Sequence, residues 1–274
     1  MTFSIVMPAL NGARFIGEAI ASIEAQTDSD WELIIVDGGS TDGGLEIAKA
    51  RADKDSRIRV FTGPDSGMYD ALLKGFAAAR GDWLSWLNSD DLYTPWALAS
   101  VRRHVGAHGG EWVTGAPGCW DESGRLRSVR PAGRYIQTQI AAGWHHDHLL
   151  GYLQQESMFF SRSLFERLSD EDLARIRAMR FAGDFLMWRL FASHAPLNVI
   201  PSVLGGFRRH GGNMSAANSQ TYRDEAMSTA PFAPPAFIAR PLALLSRVAS
   251  AWAWAKLADR ADRELLAEIE RPRA

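Results

Sequence analysis

Over the first 115 positions, short apolar runs alternate with stretches whose apolar residues recur at helical spacing. Residues 3–7, FSIVM, form an apolar run halted by Pro8, which predicts a buried strand. Ile16, Ile20 and Ile23 then share one helical face, so a helix is expected after Asn11-Gly12. Residues 33–36, LIIV, predict the next strand, broken by Asp37-Gly38-Gly39-Ser40. A helix over 45–50, a strand over 58–61, a helix over 68–79 and a strand over 83–87 continue the alternation. Thr94-Pro95 predicts a further helix with proline in its first turn, where no amide is needed, and Trp112-Val113 a fifth short strand. Strands and helices alternating in this way imply an α/β domain whose mostly parallel sheet is flanked by helices on both faces. Ligands of such sheets gather beyond the carboxyl ends of the strands. Asp37, Asp65 and Asp90 each follow a predicted strand and are expected on that one edge.

After Gly115 the pattern loosens. A hairpin is expected to turn at 121–124, followed by a Trp- and His-rich loop around Trp144. A strand over 157–160, a helix over 183–193 with Phe185, Trp188 and Leu190 partly inward, and two short strands within 198–208 follow. From about Thr229 the composition shifts to Pro, Ala, Leu and Arg, which predicts a helical appendage joined through residues 231–235. The chain is thereby divided into 1–115, 116–228 and a C-terminal extension over 229–274.

Composition narrows the partners. The 274 residues carry 30 basic and 32 acidic side chains, a formal charge of −2, so there is no global basic field for nucleic acid. The single cysteine, Cys119, allows no internal disulfide; it fits a reducing compartment and reads as a small filler. The opening MTFSIVMPAL lacks a basic leader, and no uninterrupted apolar run reaches the ~18 residues of a membrane span, so a cytoplasmic protein is expected. The stretch 238–258 mixes Leu and Val with Arg240, Arg247, Lys256, Trp252 and Trp254. Two readings stand open for it: a helix lying on the inner face of the membrane, or one packed on the main domain or on a second copy in a homo-oligomer.

Several motifs carry candidate chemistry, each with a plainer alternative. In DGGSTDGG, 37–44, a strand-ending carboxylate precedes a glycine-rich turn, suited either to a base or ribose or to capping the next helix. PALNGARF after the first strand lacks the Gly-x-Gly-x-x-Gly spacing of dinucleotide sites, and no Walker loop occurs. In LNSDDLYTP, 87–95, adjacent carboxylates end an apolar strand. Such a pair is compensated by a cation or exposed to water, so a magnesium or manganese site and a solvated capped turn are both open. His145, His146 and His148 with Asp147 are dense, but they lack the separated spacing of a structural zinc site. Arg208, Arg209 and His210 precede a Gly-Gly turn that either closes over a diphosphate or is a surface basic turn.

The segments PALNGARFIGEAIASI, IIVDGGSTDGG, DSGMYDALLKGFAAARGDWLSWLNSDD, QQESMFFSRSLFE, AGDFLMWRL and FRRHGGNMS occur in the order seen in family 2 glycosyltransferases. The chain resembles that family over about residues 3–215. The resemblance implies a GT-A fold, with a Rossmann-like, mostly parallel sheet flanked by helices and here a C-terminal helical appendage. It makes 1–115 the nucleotide-sugar-binding half and 116–228 the acceptor-binding and catalytic half. It also implies transfer, with inversion, of a sugar from a nucleoside diphosphate donor to a hydroxyl of a glycan or lipid-linked acceptor, as in polysaccharide or glycolipid assembly.

Asp37 matches the family's nucleobase-contacting aspartate, with Pro8 and Ala9 lining the same pocket, and Asp65 and Asp70 match polar positions near the nucleoside and donor sugar. Asn88-Ser89-Asp90 stands where the family has Asp-x-Asp, so Asp90 is the implied ligand of Mn2+ or Mg2+, with Ser89 and Asp91 beside the donor. The asparagine at 88 departs from the motif and leaves that position out of the metal set. Asp184 matches the catalytic base, although a helix N-cap is the plainer reading of the same residue. Gln155 matches a position near the acceptor, and Arg208 and His210 are taken toward the diphosphate. Two rivals remain: a catalytically silent sugar-nucleotide-binding module, and a nucleotidyltransferase of related fold, for which PALNGARF offers only Arg14 as a triphosphate ligand.

Overall fold

The computed structural model describes residues 1–130, 132–133, 135–146, 149–213, 218–230, 241 and 245. In chain order the first half comprises β1 (Phe3–Ala9), α1 (Ile16–Glu24), β2 (Trp31–Asp37), α2 (Gly44–Ala52), β3 (Ile58–Thr62), α3 (Met68–Ala78), β4 (Trp83–Trp86), β5 (Leu92–Tyr93), α4 (Ala97–His108) and β6 (Trp112–Thr114). Then come β7 (Gly118–Trp120), β8 (Leu126–Val129), α5 (Gln137–Ala141), a 3-10 turn at Gln155–Ser157, β9 (Met158–Ser161), α6 (Arg162–Phe165), α7 (Asp170–Ala178), α8 (Gly183–Ala192), β10 (Asn198–Val199), β11 (Gly205–Arg208) and α9 (Ser219–Thr229).

All seven residues of β1 are buried, as they must be in a strand with helices over both faces of its sheet. Successive side chains point to opposite sides, so Val6 joins the core under α3 and α8 while Phe3, Ile5 and Met7 join the core under α1 and α4. Parallel pairing runs β4-β1-β2-β3, which brings the carboxyl ends of these strands to one edge. Beyond β4 the seven-stranded sheet continues through β9 and β6 to β10.

Three expectations shift here. Strand β9 is antiparallel to both β4 and β6, so the expected fifth strand is separated from the fourth by a segment from much later in the chain. The helix expected at Thr94-Pro95 starts instead at Ala97, because residues 92–93 form β5 of a second sheet ordered β5-β11-β7-β8. Thr94 extends that pairing, its N–H donating to the Leu204 carbonyl at 2.8 Å and its hydroxyl to the Val203 carbonyl at 2.8 Å. The predicted strand over 157–160 begins at Met158, its first residue being drawn into the preceding 3-10 turn. The hairpin at 121–124 is present between β7 and β8.

The C-terminal appendage from Pro231 onward, including Trp252 and Trp254, lies outside the described residues apart from positions 241 and 245. Among the described residues, no helix is long and apolar enough to cross a membrane.

Candidate active site

A cleft of about 700 Å3 opens at the carboxyl edge of the sheet, within the size range of small-molecule sites. Of the residues singled out in the sequence, Pro8, Ala9, Asp65, Ser89, Asp90, Gln155, Asp184 and His210 line it. Asp37, Asp70, Asp91 and Arg208 are not among the residues that line it.

The nucleotide side is built by two strand-to-helix turns stitched together. Thr41 N–H donates to Asn11 Oδ1 at 3.0 Å, Asn11 N–H to Ser40 Oγ at 2.8 Å, and Ala13 N–H to Asp42 Oδ2 at 2.8 Å. Asp37, paired in register with Ala9, spends Oδ1 on the amides of Gly39 and Ser40 at 3.0 and 2.9 Å. Its Oδ2 is buried with no protein partner, the arrangement expected of an acceptor held for a ligand donor. Asp65 rests against Gly38, where an added Cβ would meet Oδ2 at 2.5 Å, so a side chain at the first glycine of DGG would displace the Asp65 carboxylate. Asp70 serves the protein: it accepts from Ser66 N–H at 3.0 Å and pairs with Lys74 at 2.9 Å and Arg177 at 3.1 Å.

The Asn88–Asp91 turn separates its two carboxylates. Asp90 is partly exposed, and its Oδ2 meets His210 Nε2 at 2.9 Å and Asn213 Nδ2 at 3.3 Å. Gly212 N–H donates to His210 Nδ1 at 3.1 Å, which assigns the proton to Nε2 and makes His210 a donor to Asp90 in this arrangement. Asp91 is fully buried, accepting from Arg208 N–H at 2.9 Å and from Asn88 Nδ2 at 3.0 Å; burial, with Glu156 and Asp90 nearby, pushes its carboxyl well above the usual range. Asp91 thus ties the turn to β11 and does not face the cleft, contrary to the donor contact expected of it. The Arg208 side chain is likewise fully buried, paired with Glu18 at 2.8 Å and lying over the Phe15 ring at 4.8 Å, with Nε and Nη2 left without a protein partner, and it is not among the residues that line the cleft. Among the described residues there is no cluster of three or more metal-ligating side chains. What the turn offers a cation is the Asp90 carboxylate and Asn88 Oδ1, a buried acceptor with no partner. A single carboxylate with neutral oxygens suits magnesium or manganese that also takes phosphate oxygens and water.

Asp184 is the second residue of α8 and does not cap it; the cap is Ala182, which has no side-chain bond to give. The backbone leading into α8 is held by Glu225 of α9, which accepts from the N–H groups of Arg180, Phe181 and Ala182 at 3.1, 2.8 and 2.9 Å. Asp184 itself lines the cleft. Its Oδ1 accepts from Tyr222 at 3.0 Å and from Tyr69 at 3.2 Å, although the Tyr69 proton is shared with the Phe181 carbonyl at 2.7 Å. Dense surrounding protein pushes its carboxyl up to about 6, with the Phe185 amide and the two tyrosines opposing the rise. A carboxylate held there is ionised at neutral pH yet a better base than one in water.

Gln155 has both ends of its amide engaged, accepting from Asn88 Nδ2 at 3.3 Å and donating to the Trp86 carbonyl at 2.7 Å. It acts as a strut between the turn and β4, which leaves little for an acceptor. Sequence reasoning missed its neighbour Glu156, a buried carboxylate on the cleft wall, although a charged residue in QQES just before a buried strand was a signal. It also missed Tyr69, Tyr222 and Glu225, the last two on a mostly polar helix with no local motif. His145 and His146 are buried, and burial pushes His145 down to about 4; Asp147 and His148 lie outside the described residues.

With this geometry in view, comparisons with known proteins are specific. The sequence profile described as "Glycosyl transferase family 2" matches residues 4–168. The PGL/p-HBAD biosynthesis glycosyltransferase of Mycobacterium bovis (strain BCG / Pasteur 1173P2) is 43% identical over 108 residues, covering 39% of this chain and 42% of that protein. The matched stretch therefore spans about two fifths of that relative's length. Among solved structures, S. aureus TarS 1-349 in complex with UDP-GlcNAc superposes with a TM-score of 0.63 at 16% identity, over 85% of this chain and 68% of that one. The mannosyltransferase PcManGT from Pyrobaculum calidifontis, in complex with GDP-Man and Mn2+, superposes with a TM-score of 0.57 at 18% identity, over 98% of this chain and 81% of that one. At such identity these likenesses establish the fold and leave function to the site.

Proposed function

The chain belongs to glycosyl transferase family 2, and on that premise we propose that it is an inverting, metal-dependent glycosyltransferase acting in polysaccharide or glycolipid assembly. The observation that carries this reading is one cleft walled by Asp90 at the sheet edge and by Asp184, a carboxyl raised to about 6, at the start of α8. Residues 1–115 form the donor half. Pro8, Ala9 and the unspent Asp37 Oδ2 take the nucleoside, with Asp65 toward the ribose and Ser89 toward the donor. Residues 116–228 form the acceptor and catalytic half.

Asp90, oriented by His210 and Asn213, would hold Mn2+ or Mg2+; the unpartnered Asn88 Oδ1 is a second oxygen available in the same turn, although the sequence leaves position 88 out of the metal set. The chemistry a cation would supply there is neutralisation of the charge that grows on the departing diphosphate. Asp184 takes the proton of the acceptor hydroxyl as that oxygen attacks the anomeric carbon from the side opposite the leaving group. One direct displacement inverts the centre and needs no nucleophilic side chain. The acceptor is a glycan or lipid-linked hydroxyl, reached on the cytoplasmic side, with the 229–274 extension as the segment for membrane or subunit contact.

Thermal-shift screening of UDP, GDP and dTDP sugars with and without manganese tests the donor reading. Stabilisation by one nucleotide class, dependent on metal, is the expected result; indifference to every donor would overturn it. Asp184→Asn should abolish transfer while donor binding persists, and near-normal turnover by that variant would remove Asp184 from the mechanism.

A further inference from the structure

Glu156 has no part in the chemistry above, yet it is built into the same cleft. It sits in the 3-10 turn Gln155–Ser157, which is pinned on both sides. Gln155 holds the Trp86 carbonyl at 2.7 Å, and Ser157 Oγ donates to the Gly205 carbonyl at 3.0 Å. Gly205 has no room for a side chain, since a Cβ there would strike the Glu156 carbonyl oxygen. The backbone at 156 is thus held from both sides. Glu156 is 7% exposed, lines the cleft, and has an Oε2 with no hydrogen-bond partner.

A buried carboxylate oxygen without a donor is costly to fold; Gln154 and the Glu156 amide support the ionised group, but among the described residues no cationic side chain pairs with it. Burial pushes Glu156 up to about 7, and Asp184 and Asp90 both add to the rise, so it lies within electrostatic reach of each. Those two residues mark the ends of the reaction proposed above: the diphosphate end and the base end. A sugar in transit has to bridge them, because its anomeric carbon is bonded to the diphosphate and attacked from the base side. Glu156 is on the wall of that same cleft, and its Oε2, left without a donor while Gln154 and the Glu156 amide serve the carboxyl, is the acceptor open to the sugar.

Resting on the donor reading above, we propose that Glu156 is a specificity residue, accepting a hydrogen bond at Oε2 from a hydroxyl of the transferred sugar. The contact belongs to the sugar and not to the nucleotide. Affinity for a sugar nucleotide should therefore depend on Glu156 while affinity for the bare nucleoside diphosphate should not.

The test is calorimetric titration of the full chain, in the presence of Mn2+, with UDP-N-acetylglucosamine, GDP-mannose and dTDP-rhamnose and with UDP, GDP and dTDP. Wild type, Glu156→Gln and Glu156→Ala are compared. For the nucleotide class that binds, both variants should keep nucleoside diphosphate affinity within about twofold. They should bind the sugar nucleotide on the order of 10- to 100-fold more weakly, the range for a hydrogen bond to a charged group. Glu156→Gln should melt no lower than wild type, since it removes a buried charge while keeping shape. An unchanged ratio of sugar-nucleotide to nucleotide affinity in both variants would overturn the proposal, as would an equal loss of both affinities. Failure of wild type to bind any nucleoside diphosphate would overturn the donor reading itself, an outcome separate from the other two.

Discussion

Removing one hydroxyl from the wall of the cleft should move the acid limb of the pH–rate profile in a direction fixed by the hydrogen-bond geometry. Tyr222→Phe deletes the donor 3.0 Å from Asp184 Oδ1 and keeps the ring, which meets Tyr152 edge-on at 4.9 Å. Tyr69 compensates poorly, because its proton is drawn to the Phe181 carbonyl at 2.7 Å and reaches Asp184 at only 3.2 Å. The Tyr222 bond favours the ionised carboxylate, against the burial that pushes Asp184 up to about 6. Its loss must therefore raise the proton affinity further.

A hydrogen bond to a charged group is worth ~1.5–3 kcal/mol, and the lower end applies because Asp184 is partly open to the cleft and water can refill the position. At ~1.4 kcal/mol per pH unit, the limb of kcat/KM should move up by about one pH unit. Near pH 6 that is a loss of roughly fivefold, since an acid half ionised in wild type falls to about a tenth ionised in the variant. By about pH 8.5 both forms are ionised and the difference should close. Initial rates of donor consumption across this range, at low acceptor concentration, measure it. A limb that stays in place or moves down, or a loss equal at all pH values, would refute the role given to Tyr222.

Further outcomes follow from the same contacts. Asp90→Asn should remove the manganese dependence of donor stabilisation in thermal-shift assays while metal-independent nucleotide binding through Pro8, Ala9 and Asp37 survives. Retained metal dependence would place the cation elsewhere. Gly183→Ala puts a Cβ 2.7 Å from the Tyr69 ring, an overpacking that should cost ~1–3 kcal/mol in melting experiments and lower kcat by displacing a partner of Asp184. Melting and kcat both at wild-type values would contradict the packing described. Glu225→Ala frees the amides of Arg180, Phe181 and Ala182 and should lower stability by ~1–3 kcal/mol, with kcat falling more than donor affinity. An equal fall in both would mean that α9 supports the whole cleft and not Asp184 in particular.

The first four strands and the helices between them were legible because burial on both faces of a parallel sheet demands continuous apolar runs such as FSIVM and LIIV, a local property. The positions of Asp37, Asp65 and Asp90 at one edge followed from that order. The same locality explains what was missed. Asp90 and Asp91 are neighbours with the same side chain, yet one is partly exposed on the cleft and the other is buried against the Arg208 amide, a partner 117 residues away. Arg208 looks like a phosphate ligand in sequence, but β11 carries it inward to Glu18, 190 residues away. The antiparallel insertion of β9 and the start of α4 at Ala97 were decided by pairing with segments distant in the chain, and so was the grip of Tyr222 and Glu225 on α8. Periodicity by itself determined the first four strands, the helices between them and which carboxylates follow those strands, but not β5, α5, α7 or α9. Hydrogen-bond partners of buried polar groups answer to whatever the fold brings beside them, so only the tertiary structure decided which of those groups face the cleft and which are spent holding it together.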